Sequence, residues 1–138
     1  MTLPLPSREI SPIERIISAL TYLTAGGVGF VWLIIAAVLR KNVTQFLLYH
    51  IFQSIFLSIA YFLLAEFAKL IYIILYKIPI INAIPYLINM PIPIFHNLSV
   101  IQTAATGIIL YLAVTSFMGL YSYIPWVSDI IGQNTGRR

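Results

Sequence analysis

The side chains in this sequence that could carry acid–base or metal chemistry are two histidines, His50 and His96, and four acids, Glu9, Glu14, Glu66 and Asp129; cysteine is absent. The histidines fall near the starts of two different apolar runs, and the acids fall at the ends of such runs. There is no HExxH pair, carboxylate dyad or clustered ligand set. Gly26-Gly27-Val28-Gly29 lacks the following GK[ST] of a phosphate loop. Catalysis needs an acid, a base or metal ligands placed together. The expectation is therefore a non-enzymatic chain with no catalytic, cofactor or metal site, and without cysteine it has no disulfide framework or thiolate site.

Uncharged polar residues show more order. His50, Gln53, Ser54 and Ser58 recur at i, i+3, i+4 and i+8; Ser99, Gln102, Thr103 and Thr106 recur at i, i+3, i+4 and i+7. Ser18, Thr21 and Tyr22 make a shorter version. On helices each set occupies one face, and three polar stripes in an apolar protein should face one another. The plain chemistry is interhelical hydrogen bonding, worth ~0.6 kcal/mol per contact. The sharper alternative is a hydrated path for a polypeptide or small solute. Packing is favoured, because such paths usually carry ionisable groups. His50 is the titratable residue best placed for a path, but it lies close to the basic Arg40–Lys41 loop and is expected to snorkel towards water.

Helices must carry these stripes, and composition says in what solvent. The chain has 138 residues, 60% hydrophobic and 9% charged, with a mean hydropathy of +0.94. An average soluble domain carries ~25% charged residues, so a hydrated surface is excluded and lipid becomes the expected exterior. The net charge of +4 is scattered in ones and twos. That pattern fits cationic flanks on membrane spans and gives no nucleic-acid patch.

Ser11-Pro12-Ile13-Glu14 reads as a capping box. From Ile16 to Leu39 no charge occurs, a stretch longer than the ~20 residues a crossing needs. Gly26, Gly27 and Gly29 lie within it, where they either admit a neighbouring helix or mark a bend. Asn42–Gln45 repeats the cap pattern. A second apolar run comes next, with Glu66 and Lys69 spaced to pair.

Pro79, Pro85, Pro91 and Pro93 break the next segment. His96, Asn97 and Ser99 offer caps for a last helix. Tyr121, Tyr123 and Trp126 then suit an interfacial aromatic belt, Pro125 is expected to end the helix, and Gly132–Arg138 is a polar tail. The fold class is thus an all-α integral membrane protein, a small antiparallel transmembrane bundle forming one domain. Its expected spans are about 13–39, 43–76 and 97–122, with a Pro-rich broken or re-entrant segment over 77–95; a genuine fourth span there is the alternative. The first dozen residues have no signal-peptide pattern, so the N-terminus is expected to be retained.

Two stretches carry a family resemblance. One is RKNVTQFLLYHIFQSIFLSI, with Arg40, Asn42, Phe46, His50 and Gln53. The other is GIILYLAVTSFMGLYSYIPWVSDIIGQ, with Gly119, Tyr121, Ile124, Pro125, Ser128 and Asp129. Both resemble the family of the twenty-kilodalton inner-envelope subunit of the chloroplast protein-import translocon and its cyanobacterial and bacterial relatives, as does the opening ERIISALTYL. The resemblance covers about half the chain. It implies a helical channel-like or scaffold role in protein transport, with no catalytic residue to carry over. It also implies a bacterial or cyanobacterial inner or thylakoid membrane, or a plastid inner envelope. That family is usually drawn with two spans before the basic-Asn loop, where this chain has one apolar run.

Orientation pulls two ways. Four spans place Arg8, Arg15, Lys69, Lys77, Arg137 and Arg138 together on the inside, as the positive-inside rule favours. The resemblance instead puts the Arg40–Lys41 loop and the C-terminal tail on one side, which with three spans leaves the charges tied. The leading functional expectation is a translocation subunit, with lipid, other membrane subunits and a translocating polypeptide as partners. The alternatives are an interaction or assembly protein of a larger photosynthetic or secretory complex and, more weakly, a small-solute carrier.

Overall fold

The computed structural model describes residues 10–93 and 98–134. Arg8, Glu9, His96, Asn97 and the residues beyond Asn134 lie outside them. The described residues form six helices: α1 Pro12–Leu23, α2 Gly27–Val38, α3 Gln45–Leu75, α4 Ala83–Asn89, α5 Val100–Phe117 and α6 Val127–Asn134. Among the described residues there is no strand, only an isolated bridge between Ile92 and Leu98.

The cap at the start of α1 forms as the sequence dictates. The Ser11 N–H donates to the Glu14 carboxylate (3.1 Å) and the Glu14 N–H donates to the Ser11 hydroxyl (3.2 Å). Beyond the cap, the chain departs from the continuous helix expected over 13–39. α1 stops at Leu23, where the Gly26 N–H donates to the Thr21 carbonyl (2.7 Å) and the Ala25 N–H to that of Tyr22 (3.3 Å). This pair of bonds is a Schellman motif, with Ala25 (φ 52°) and Gly26 (φ 92°) in the left-handed region.

The chain then turns back on itself. A Cβ placed on Gly29 would lie 2.7 Å from the Thr21 methyl and 2.8 Å from Ile51 Cγ1. Val28, Trp32 and Leu33 pack on the cluster of Ile17, Leu47 and Ile51. α1 and α2 are thus the arms of an antiparallel hairpin, not the halves of one continuous helix. Both roles considered for the glycines are used: Gly26 makes the turn, and Gly26 and Gly29 let the arms and α3 come close.

Two more Schellman motifs end helices where an apolar run alone would not. The Arg40 and Lys41 N–H groups close α2 onto Ala37 (3.2 Å) and Ala36 (2.9 Å), and those of Gly119 and Leu120 close α5 onto Ser116 and Thr115 (both 3.0 Å). α5 therefore ends at Phe117, before Pro125, and the residues expected to complete a span over 97–122 leave the helix. Ser99 caps its start in a box with Gln102. Thr44, rather than Asn42, caps α3, accepting from the Leu47 N–H (3.4 Å). The Pro-rich stretch is broken, as expected: turns run from Tyr76 to Asn82 and α4 is seven residues long. Gly132–Asn134 continue α6, so this part of the expected polar tail is helical; Gly132 is buried, and Gln133 and Asn134 are exposed.

Residue pairs set the helix directions. Ile17 packs with Leu47 and Ile51, while Thr21 and Tyr22 meet Ser54 and Gln53, so α1 runs parallel to α3. Arg15 lies against Gly119 while Tyr22 packs with Leu112 and Ala113, so α5 runs antiparallel to both. α3 and α5 are long and apolar enough to cross a membrane. At 1.5 Å per residue they measure about 46 Å and about 27 Å. Beyond Ser54 no residue of α3 is buried, and Phe62, Leu63, Leu64 and Phe67 are each more than 60% exposed. The salt bridge from Lys69 to Glu66 (2.6 Å) lies on this outer half.

Candidate functional site

The first two polar stripes meet. His50 and Gln53, one turn apart on α3, face Tyr22 near the end of α1 and the irregular segment that leads from α5 to α6. The Tyr22 hydroxyl donates to Gln53 Oε1 (2.7 Å), and the Ser122 hydroxyl donates to the same oxygen (3.3 Å). Gln53 Nε2 donates to the Ser122 carbonyl (3.4 Å) and to Ser128 Oγ (3.2 Å). All four bonding positions of the amide are filled.

A carbonyl accepts only, so Nε2 must face Ser122 and Oε1 must face Tyr22. The single Tyr22 proton then goes to Gln53, which leaves His50 Nδ1 as the donor in its 2.8 Å contact with the Tyr22 oxygen. Ser128 Oγ also accepts from the Ile124 N–H (2.7 Å), and the Tyr49 hydroxyl donates to the Ser122 carbonyl (2.8 Å).

Around this network lies an aromatic wall. The His50 ring stacks on Tyr121 (centroids 5.9 Å, 18° between planes) and meets the edges of Phe46 (4.5 Å), Tyr49 (5.4 Å) and Tyr22 (5.7 Å). His50 and Gln53 are completely buried. The expected snorkelling of His50 is therefore corrected: aromatic packing and the Tyr22 contact hold the imidazole inside the protein. Tyr121, expected in an interfacial belt, belongs to this wall, whereas Trp126 is 82% exposed.

The remaining stripe residues separate from the site. Ser54 donates to the Thr21 carbonyl (2.9 Å) and so ties α3 to α1. Ser18, Thr21 and Ser58 donate to carbonyls of their own helices. The α5 stripe does not converge with the others. Gln102 is drawn back to the Ser99 N–H (3.0 Å), Thr106 donates to the Gln102 carbonyl (2.8 Å), and both are exposed, with Thr103 half-buried. Helix capping absorbs Ser99 and Gln102, and Thr106 turns back onto its own helix, which correct spacing alone could not reveal.

Of the residues that carry the family resemblance, Phe46, His50, Gln53, Tyr121 and Ser128 enter the cluster. Arg40, Asn42 and Pro125 are exposed, Gly119 lies beside Arg15, and Asp129 accepts from the Tyr123 hydroxyl (3.2 Å). That bond, with the carboxylate charge, raises the Tyr123 phenol above its ordinary value. Tyr49 and Ser122 were not singled out by sequence. Tyr49 has a readable signal, standing four residues before Gln53 on the same face; Ser122 contributes mainly a backbone carbonyl, which no sequence pattern marks.

Chemically, the site is a set of hydrogen bonds among amide, hydroxyl, imidazole and backbone carbonyl groups, and among the described residues no three His, Asp or Glu side chains gather to hold a metal. What the arrangement can do is lock three parts of the chain together: the hairpin, α3 and the 119–128 segment. Comparison with protein-family models, curated proteins and solved structures finds no match to this chain.

Proposed function

We propose that the chain is a non-enzymatic integral membrane protein that acts through contacts, as a subunit or assembly partner of a larger membrane complex. One observation carries the reading. The central polar groups bond to one another, while the apolar outer half of α3 is left uncovered by the rest of the chain. A solute path would need those polar groups to face a water-filled gap. An exposed apolar face of this extent instead marks lipid or a partner. α5 adds an open small-residue face around Ala104 and Gly107, where a Cβ on Gly107 would meet nothing within 4 Å. Helices associate in lipid through such close approach. Gly26 and Gly29, by contrast, are engaged within the chain.

A translocation subunit is the second reading. It is supported by the convergence of Phe46, His50, Gln53, Tyr121 and Ser128, all residues of the resemblance, in one folded cluster. Purification of the tagged full chain in mild detergent tests the first reading, with co-migration in a much larger complex as the expected result. Recovery only as a monomer or a lone oligomer overturns it. A photo-crosslinker at Phe62, on the uncovered face, separates the two: adducts to resident membrane subunits support assembly, and adducts to a precursor polypeptide in transit support translocation.

A further inference from the structure

The helix lengths and directions bear on how the chain meets its membrane. α1 and α2 have 12 residues each, about 18 Å apiece, against a hydrocarbon layer of ~30 Å. Neither arm can cross. The tip lies against Ile55, since a Cβ on Gly26 would come within 2.7 Å of its Cγ1. Ile55 is ten residues into α3, which places the tip about 15 Å along that helix, near half the depth of the bilayer.

The tip is built for a site without water. The N–H groups of Thr24, Ala25, Gly26 and Gly27 all donate to carbonyls of the turn, and the Thr24 hydroxyl accepts from the Val28 N–H (3.0 Å) while donating to Leu20 (2.8 Å). Unpaired backbone is what normally keeps non-helical chain out of lipid, and here every N–H of the reversal has a partner. Facing outward, α2 presents Phe30, Val31, Ile34, Ile35 and Val38, all more than 40% exposed.

We infer that the α1–α2 hairpin enters one leaflet and returns, so that the chain crosses the membrane only through α3 and α5, with the acyl chains of that leaflet covering α2. Both ends of the hairpin, the Arg40–Lys41 loop and the segment after α5 then share one side. Charge supports this independently. Arg15, Arg40 and Lys41 fall on that side, as do the sequence neighbours of the chain ends, Arg8, Arg137 and Arg138; Lys69 and Lys77 fall on the other. A single crossing over 13–39 would divide the same eight cations evenly. The hairpin removes the tie and assigns the cation-rich side to the cytoplasm or its organellar equivalent. The inference rests on the membrane part of the proposed function, not on its partners.

The chain's lack of cysteine permits a direct test. Single-cysteine full-length variants S7C, N42C, N82C, G136C and A25C are probed in sealed vesicles of known orientation with a membrane-impermeant maleimide. S7C, N42C and G136C are expected to react from one side and N82C only from the other, while A25C is protected until detergent is added. Reaction of S7C and N42C from opposite sides restores a single crossing and overturns the hairpin. So does reaction of intact-vesicle A25C from the N82C side, which would mean that the arms reach across. Release of the wild-type chain by alkaline carbonate overturns the membrane reading itself, whichever side is labelled.

Discussion

Gln53 concentrates the cost of disturbing the buried cluster, because its amide serves Tyr22, Ser122 and Ser128 at once. Gln53→Leu keeps roughly the side-chain volume but strands those partners, and an unsatisfied buried group costs about 1–3 kcal/mol. A clear fall in the melting temperature of the detergent-solubilised chain is expected. Ser128→Ala strands Gln53 Nε2 and the Ile124 N–H, which share its hydroxyl oxygen, and should likewise cost about 1–3 kcal/mol. At the surface, the Tyr123 bond to Asp129 raises the phenol above its ordinary value of 10.0. Its contribution to stability is present below that value and is lost as pH rises through the raised one. An NMR titration of Tyr123 should show its midpoint drop in Asp129→Asn. At this scale the sequence was partly legible. The spacing of Thr21 and Tyr22 with Gln53 and Ser54 exposed one face of the site, but the Ser122 carbonyl gives no signal, and a cap consumed Gln102.

The elements are fixed by how their helices end. Apolarity over 16–39 makes a lipid-soluble stretch but does not say whether it runs straight, since glycine serves a bend and a close contact equally. The deciding facts are stereochemical. Ala25 holds a left-handed φ that usually belongs to glycine. Ala25→Gly should therefore stabilise the fold by about 0.5–1 kcal/mol, the relief of the left-handed strain less the added freedom of the unfolded chain. Chemical unfolding in detergent would register it as a rise in midpoint. Two other glycines form a matched pair. Gly29→Ala drives a methyl into Thr21 and Ile51 and should cost about 1–3 kcal/mol. Gly107→Ala meets open space and should be neutral or gain up to about 1 kcal/mol in the isolated chain. Equal effects at the two positions in a thermal-shift series would contradict the hairpin packing. By contrast, the Ser11–Glu14 box could be read directly, because a capping box is local.

For the whole molecule, the question is which solvent surrounds α3. Ile59 is 55% exposed on that helix. In water Ile59→Lys would be harmless, whereas at the centre of a membrane helix a lysine costs about 2.5–3.5 kcal/mol. A reduced carbonate-resistant fraction is expected, and an undiminished one would speak for water around the helix. The helical class was legible in the sequence, and scarcity of charge, a property of the whole chain, foreshadowed the two helices long and apolar enough to cross a membrane. The doubling back of the first apolar run was not, because it depends on contacts between residues far apart. The Thr24–Gly26 reversal also bears on the order in which the molecule is made. A ribosome delivers α1 and α2 first, yet the surfaces that hold them arrive later: Ile51, Ser54 and Ile55 on α3, then Leu112 and Gly119 at the far end of α5. A nascent chain stalled before Val100 has its hairpin complete in sequence while Arg15 and Tyr22 still lack their α5 neighbours. The hairpin is made before the surfaces that seat it.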